Sequence, residues 1–167
     1  SEEYFCVLKA LIMKQLFLLR HGEAGFSEGS DFQRHLTQKG RENLIRLGEN
    51  LKQELKSTDI MYCSSSERTM ETADLIGKYI SINESIFTKT IYQGDLGNLI
   101  KLLEKTPPSV ETCLLVGHNP TLSLLLSKIC DEDYVGLQPG MMAVIELHIT
   151  DWKMIGLGTG TLKELIQ

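Results

Sequence analysis

Leu16-Phe17-Leu18-Leu19 is a short, wholly apolar run that breaks off at Arg20-His21-Gly22-Glu23. A strand with one wet face alternates apolar and polar residues, whereas an unbroken apolar run suits a strand covered on both faces, as in a parallel sheet between helices. Ile60-Met61-Tyr62-Cys63 and Cys113-Leu114-Leu115-Val116 repeat the pattern. Three central parallel strands are expected.

Helical patterns lie between them. Leu44, Leu47, Leu51 and Leu55 recur at i, i+3, i+7 and i+11, Met70, Ala73 and Ile76 do so less cleanly, and Leu99, Leu102 and Leu103 suggest a third helix. A fourth is expected to start with Asn119 as N-cap and Pro120 as first helical residue, running through Leu122, Leu125, Leu126 and Ile129. Ala143 to Ile149 and Trp152 to Leu157, joined at Thr150-Asp151, read as a closing hairpin. This alternation with short connections predicts one α/β domain over residues 1–167, a three-layer α/β/α sandwich with a mostly parallel central sheet and helices on both faces. Residues 1–12, with Tyr4, Leu8, Leu11 and Ile12 at helical spacing ahead of Met13-Lys14, read either as a docking helix or as an N-terminal extension.

Composition narrows the function. With 17 Lys and Arg against 22 Asp and Glu in 167 residues, the net charge is -5. No basic stripe offers the counterion release on which nucleic-acid binding depends, so nucleic acid is not an expected partner. The four cysteines, Cys6, Cys63, Cys113 and Cys130, are scattered without zinc spacing or C-x-x-C, as reduced thiols would be. No apolar run nears the roughly 20 residues of a membrane span, and Glu2 and Glu3 stand where a signal peptide carries Lys or Arg. A cytoplasmic protein with no membrane partner is expected.

Each central strand is followed by chemistry: Arg20-His21-Gly22-Glu23, then Ser64-Ser65-Ser66-Glu67-Arg68, then Gly117-His118-Asn119-Pro120. In a parallel α/β sheet these ends face one crevice, where ligands bind. Two arginines brought together repel unless a multidentate anion lies between them, and guanidinium forks match phosphate oxygens two at a time. A phosphate or sulfate ion is therefore the expected occupant.

These motifs carry a resemblance. Phe17-Leu18-Leu19-Arg20-His21-Gly22-Glu23-Ala24 is similar to the signature of the histidine phosphatase superfamily, in its phosphoglycerate mutase-like branch, and Gly117-His118-Asn119 to that family's second histidine motif. Ser64-Ser65, Arg68 and Thr72-Ala73 keep the frame of its middle motif, with Ser65 in the Pro position. The segment from Asp31 to Gly40, containing Arg34, Leu36 and Thr37, resembles the SixA-type phosphohistidine phosphatases, with His35 where their pattern has Pro.

The resemblance implies an enzyme, a phosphoric hydrolase, in which His21 attacks phosphorus and carries the phosphoryl group before water releases it. Arg20, Arg68 and a protonated His118 then neutralise the phosphoryl oxygens, Arg34 contacts phosphate or partner, and no metal or cofactor is required. Asp31 and Asp95, the latter in the Tyr92-Gln93-Gly94-Asp95 turn, are the candidates for a general acid; Glu23 reads as structural. An imidazole leaving group has a pKa of about 6.5 against about 15.7 for an alkoxide, so a weakly equipped acid points to phosphohistidine on a protein. The alternatives are a small-molecule phosphomonoester phosphatase of the same superfamily and a non-catalytic phosphate-binding module.

Overall fold

The protein is described from a computed structural model covering residues 1–3 and 14–167. The helical spacing of Tyr4 to Ile12 lies outside the described residues. Six strands form one sheet: β1 (Lys14–Arg20), β2 (Ser57–Ser64), β3 (Ser81–Thr88), β4 (Thr112–Gly117), β5 (Met142–Leu147) and β6 (Gly160–Ile166), in the order β3-β2-β4-β1-β5-β6. The first four run parallel; β5 is antiparallel to β1, and β6 to β5. Among the described residues five helices accompany them: α1 (Gln38–Glu49), α2 (Glu67–Ile76), α3 (Lys89–Gln93), α4 (Leu96–Glu104) and α5 (Thr121–Cys130).

The unbroken apolar runs are explained by two cores, one on each face of the sheet. Phe17, Leu19, Leu114 and Val116 point to one face and pack with Leu44 and Leu47 of α1 and Ala73 and Ile76 of α2. Leu16, Leu18, Cys113 and Leu115 point to the other, against Leu99 and Leu103 of α4 and Leu122, Leu125 and Ile129 of α5. Each such Leu or Phe stabilises the fold by about 1.5–3 kcal/mol on burial. Among the described residues no helix is long and apolar enough to cross a membrane.

Four expectations are corrected. α1 ends at Glu49, and Leu51 and Leu55 are buried from irregular backbone beyond it, Leu55 closing a short 3-10 turn. Met70 lies on the outer face of α2, whose buried side is Arg68, Thr69, Thr72, Ala73, Leu75 and Ile76. The partner of β5 is Gly160–Ile166; Trp152 instead enters a 3-10 turn capped by Asp151, fully buried with its Nε1 donating to the Val110 carbonyl at 2.8 Å. α5 begins at Thr121, and Pro120 is its cap.

Candidate active site

β1 and β4 are neighbours in register, Arg20 opposite Gly117, so the chain leaves both strands side by side at His21 and His118. The ladder continues one step further, with His21 N donating to the Gly117 carbonyl at 3.1 Å. From the other side Gly140 N reaches the carbonyls of Arg20 and His21 at 3.1 and 3.0 Å, and its φ of +76° favours glycine there. The two imidazoles come to rest with centroids 5.3 Å apart.

His21 is 8% exposed and its Nδ1–H donates to the Gly22 carbonyl at 2.7 Å, which fixes the tautomer and leaves the lone pair on Nε2. Burial, with Arg68, Arg20 and Arg34 nearby, lowers its pKa to about 4, so the ring is neutral and nucleophilic at neutral pH. Gly22 is itself held, its N–H donating to Thr72 Oγ1 at 3.1 Å while that hydroxyl donates to the Arg68 carbonyl at 2.7 Å.

Arg68 lies in the first turn of α2, almost fully buried. Its Nη1 donates to the Asp31 carbonyl at 2.8 Å and its Nη2 to Asp31 Oδ2 at 3.1 Å and to His118 Nδ1 at 3.3 Å. Arg20 Nη1 donates to the Leu137 carbonyl at 2.8 Å. The Nε atoms of both arginines are buried with no hydrogen-bond partner among the described residues. An orphaned donor of this kind costs about 1–3 kcal/mol, or more on a charged group, so each favours an incoming anion. Arg34 turns its Nε to the Gly25 carbonyl at 2.8 Å and its Nη1 to Asp31 Oδ1 at 3.1 Å. Ser65, in the Pro position of the motif, has a buried hydroxyl also without a partner.

His118, expected to carry a proton against the phosphoryl oxygens, is neutral in the free site. Its Nδ1 accepts from Arg68 while its Nε2–H donates to Ser64 Oγ at 2.7 Å. Burial, then His21 and Arg68, lower its pKa to about 3. A phosphoryl dianion beside it favours the imidazolium by the reverse of the same Coulomb effect.

The two candidate acids are placed very differently. Asp95 caps α4, its Oδ1 accepting from Asn98 N at 3.0 Å, and does not line the cavity that holds the histidines. Asp31 does line it, but its carboxylate is clamped by Tyr92 Oη at 2.8 Å as well as by Arg34 and Arg68, and these bonds hold its pKa down at about 2. It is a carboxylate, with no proton to give. The cavity holds about 500 Å³ and brings Arg20, His21, Arg34, Arg68 and His118 together around that single anion.

Residues 16–91 match the family model of the histidine phosphatase superfamily (branch 1). Over that stretch the chain is similar to the histidine phosphatase superfamily. Phosphohistidine phosphatase SixA of Escherichia coli is 25% identical to this chain over 119 residues, 70% of this chain and 74% of that one. An uncharacterized protein of Mycobacterium tuberculosis is 27% identical over 119 residues, 69% of this chain and 73% of its own. The same fold occurs in a protein histidine phosphatase SixA complexed with tungstate, with a TM-score of 0.78, 22% identity, and coverage of 92% of this chain and 96% of that one.

Several residues of this site escape a motif reading. Tyr92 reaches Asp31 from α3, its ring 5.4 Å from that of His118. Asn119, expected as a helix cap, uses its Nδ2 to hold the Leu137 carbonyl at 2.9 Å, the same oxygen that takes Arg20, and accepts from Ser123 Oγ. Ser64 receives His118. The Ser-Ser frame and the Asn after His118 were visible in sequence; nothing in sequence marked Tyr92 as more than a turn residue.

Proposed function

We propose that this phosphatase removes the phosphoryl group from phosphohistidine on proteins. The observation that carries the reading is the setting of Asp31: among the described residues it is the one carboxylate lining the cavity, and donors from Tyr92, Arg34 and Arg68 hold it ionised, so none of the described lining residues is equipped to protonate an alkoxide. An imidazole departs from phosphorus without that help.

In this reading His21 Nε2 attacks the phosphorus while Gly22 holds the opposite nitrogen. Arg20 and Arg68 present their guanidinium groups, and His118, protonated at Nδ1 once the dianion is bound, its N–H, to the phosphoryl oxygens, supplying positive charge where the loose transition state spreads its negative charge. Water then attacks the phospho-His21 intermediate and frees phosphate. The cavity opens at the surface along the 24–37 connection, where Asp31 is half exposed, which suits a side chain presented by another protein.

Phosphate release from a phosphohistidine protein, an aryl phosphate and a sugar phosphate, each against His21→Ala, tests the reading. Fast release from phosphohistidine, abolished by His21→Ala in a chain that still folds, is expected. Equal or faster turnover of the sugar phosphate makes the chain a small-molecule phosphatase. Phosphate binding without turnover of any substrate makes it a binding module, and normal activity in His21→Ala removes the nucleophile assignment.

A further inference from the structure

His21 lies at the floor of the cavity, 8% exposed, while the side chain of Asp31 stands at its mouth, 52% exposed. Displacement at phosphorus sets nucleophile and leaving atom roughly in line. A group attacked from the floor by Nε2 therefore leaves toward the mouth, past Asp31.

The carboxylate there is held but not saturated. Oδ2 accepts from Tyr92 Oη and Arg68 Nη2, and Oδ1 from Arg34 Nη1 at 3.1 Å. A carboxylate offers about four lone-pair positions, so one on Oδ1 stays open on a half-exposed group. Arg34 from its own loop, Arg68 from α2, Tyr92 from α3 and His118 from the β4–α5 connection are the titratable and charged groups that face it. All of the bonded groups act as donors and so favour the charged acceptor.

We propose that Asp31 recognises the leaving imidazole, accepting the N–H of the ring nitrogen remote from phosphorus, and so selects phosphoramidates over phosphate esters. This rests on the phosphohistidine reading above. The reactive substrate is the one whose remote nitrogen is protonated. His21 Nε2 forms its bond to phosphorus as the substrate's P–N bond breaks, the electron pair of that bond stays on the leaving nitrogen, and the ring departs as neutral imidazole. Its remote N–H remains on Asp31 throughout, so no proton crosses in this step. An ester has no such N–H, and its leaving oxygen gathers negative charge beside the carboxylate; both effects work against it.

N-phosphoimidazole and p-nitrophenyl phosphate are the probes, with Asp31→Asn and Asp31→Glu compared with the native protein, each checked for folding by circular dichroism. The expected result is a fall of about tenfold or more in the ratio of kcat/KM for phosphoimidazole to that for the aryl phosphate in Asp31→Asn, as loss of a charge-assisted bond implies, with partial recovery in Asp31→Glu. In the native protein kcat for phosphoimidazole declines as pH rises past the pKa of the bound probe's remote nitrogen, which the Asp31 carboxylate raises, and in Asp31→Asn that decline moves to lower pH. A parallel loss on both probes would make Asp31 only a positioning residue for Arg68 and overturn the proposal, as would an unchanged ratio. Selective loss of alkyl phosphate turnover would make it a general acid, with the same consequence. If the ratio falls as expected while a phosphohistidine protein is not hydrolysed, the protein-substrate reading fails and the role of Asp31 stands.

Discussion

Gly40→Ala is a substitution far from any reacting atom that should nevertheless damage turnover. Gly40 is in the first turn of α1, where its N–H meets the Thr37 cap at 3.0 Å, and it is buried against the backbone that follows the nucleophile. A Cβ there would overlap the Glu23 carbonyl oxygen and come within 3.0 Å of Glu23 N and 3.1 Å of Glu23 C. The obstacle is backbone, and it cannot swing aside, because Glu23 O is pinned by Thr37 N at 2.9 Å. Relief needs a shift of roughly 1 Å between helix and loop, and overpacking of this kind costs about 1–3 kcal/mol. Alanine returns about 1 kcal/mol of helix propensity, leaving a net loss of about 0–2 kcal/mol. The shift falls one residue beyond Gly22, whose carbonyl aims the His21 ring. Since a misplacement of about 1 Å can cost about 100-fold, kcat should fall by about 10- to 100-fold. Urea unfolding and steady-state kinetics on one preparation measure both effects. A variant as stable as the native chain with kcat within about threefold would refute the reasoning that the close approach of α1 aims the nucleophile.

Two further outcomes follow from the same geometry. Burial keeps His21 and His118 neutral, with pKa values of about 4 and about 3 against an ordinary 6.5, so between these values the unfolded chain binds more protons. Stability should therefore fall as pH drops from about 7 to about 5, read as a lower urea midpoint, and a midpoint that stays level or rises would contradict the buried neutral pair. Ser64→Ala removes the acceptor of His118 Nε2–H and leaves a buried donor unpaired, a loss worth about 1–3 kcal/mol, so kcat should drop about tenfold with the fold retained; unchanged kinetics would show that Ser64 does not orient His118.

The central strands were legible in sequence because helices cover both of their faces, which removes polar alternation and leaves an unmistakable apolar run. β3 was not, since it pairs only with β2 at the sheet edge and its residues are mostly exposed, so no burial wrote a pattern into it. Leu51 and Leu55 misled for the converse reason: their spacing reports burial, and burial does not require helix. Arg20, His21, Arg68 and His118 could be found because each stands at or just beyond a strand end. Tyr92 acts through one bond to a residue 61 positions away, which no local motif encodes. Asp31 was visible as a residue but not as a charge, because its ionisation is decided by donors from three separate segments. Asp95 looked like an acid in a loop and is a helix cap, a distinction that requires knowing where Asn98 N points.

The pairing of Arg20 with Gly117 has a consequence for how such a protein could be altered. The two histidines owe their spacing to strand register, whereas the rim that meets a substrate comes from the separate connections after β1, with Asp31 and Arg34, and after β3, with Tyr92. Those connections could be lengthened, exchanged or redesigned while the chemical pair keeps its place, so the scaffold amounts to a fixed reaction chuck that accepts interchangeable jaws.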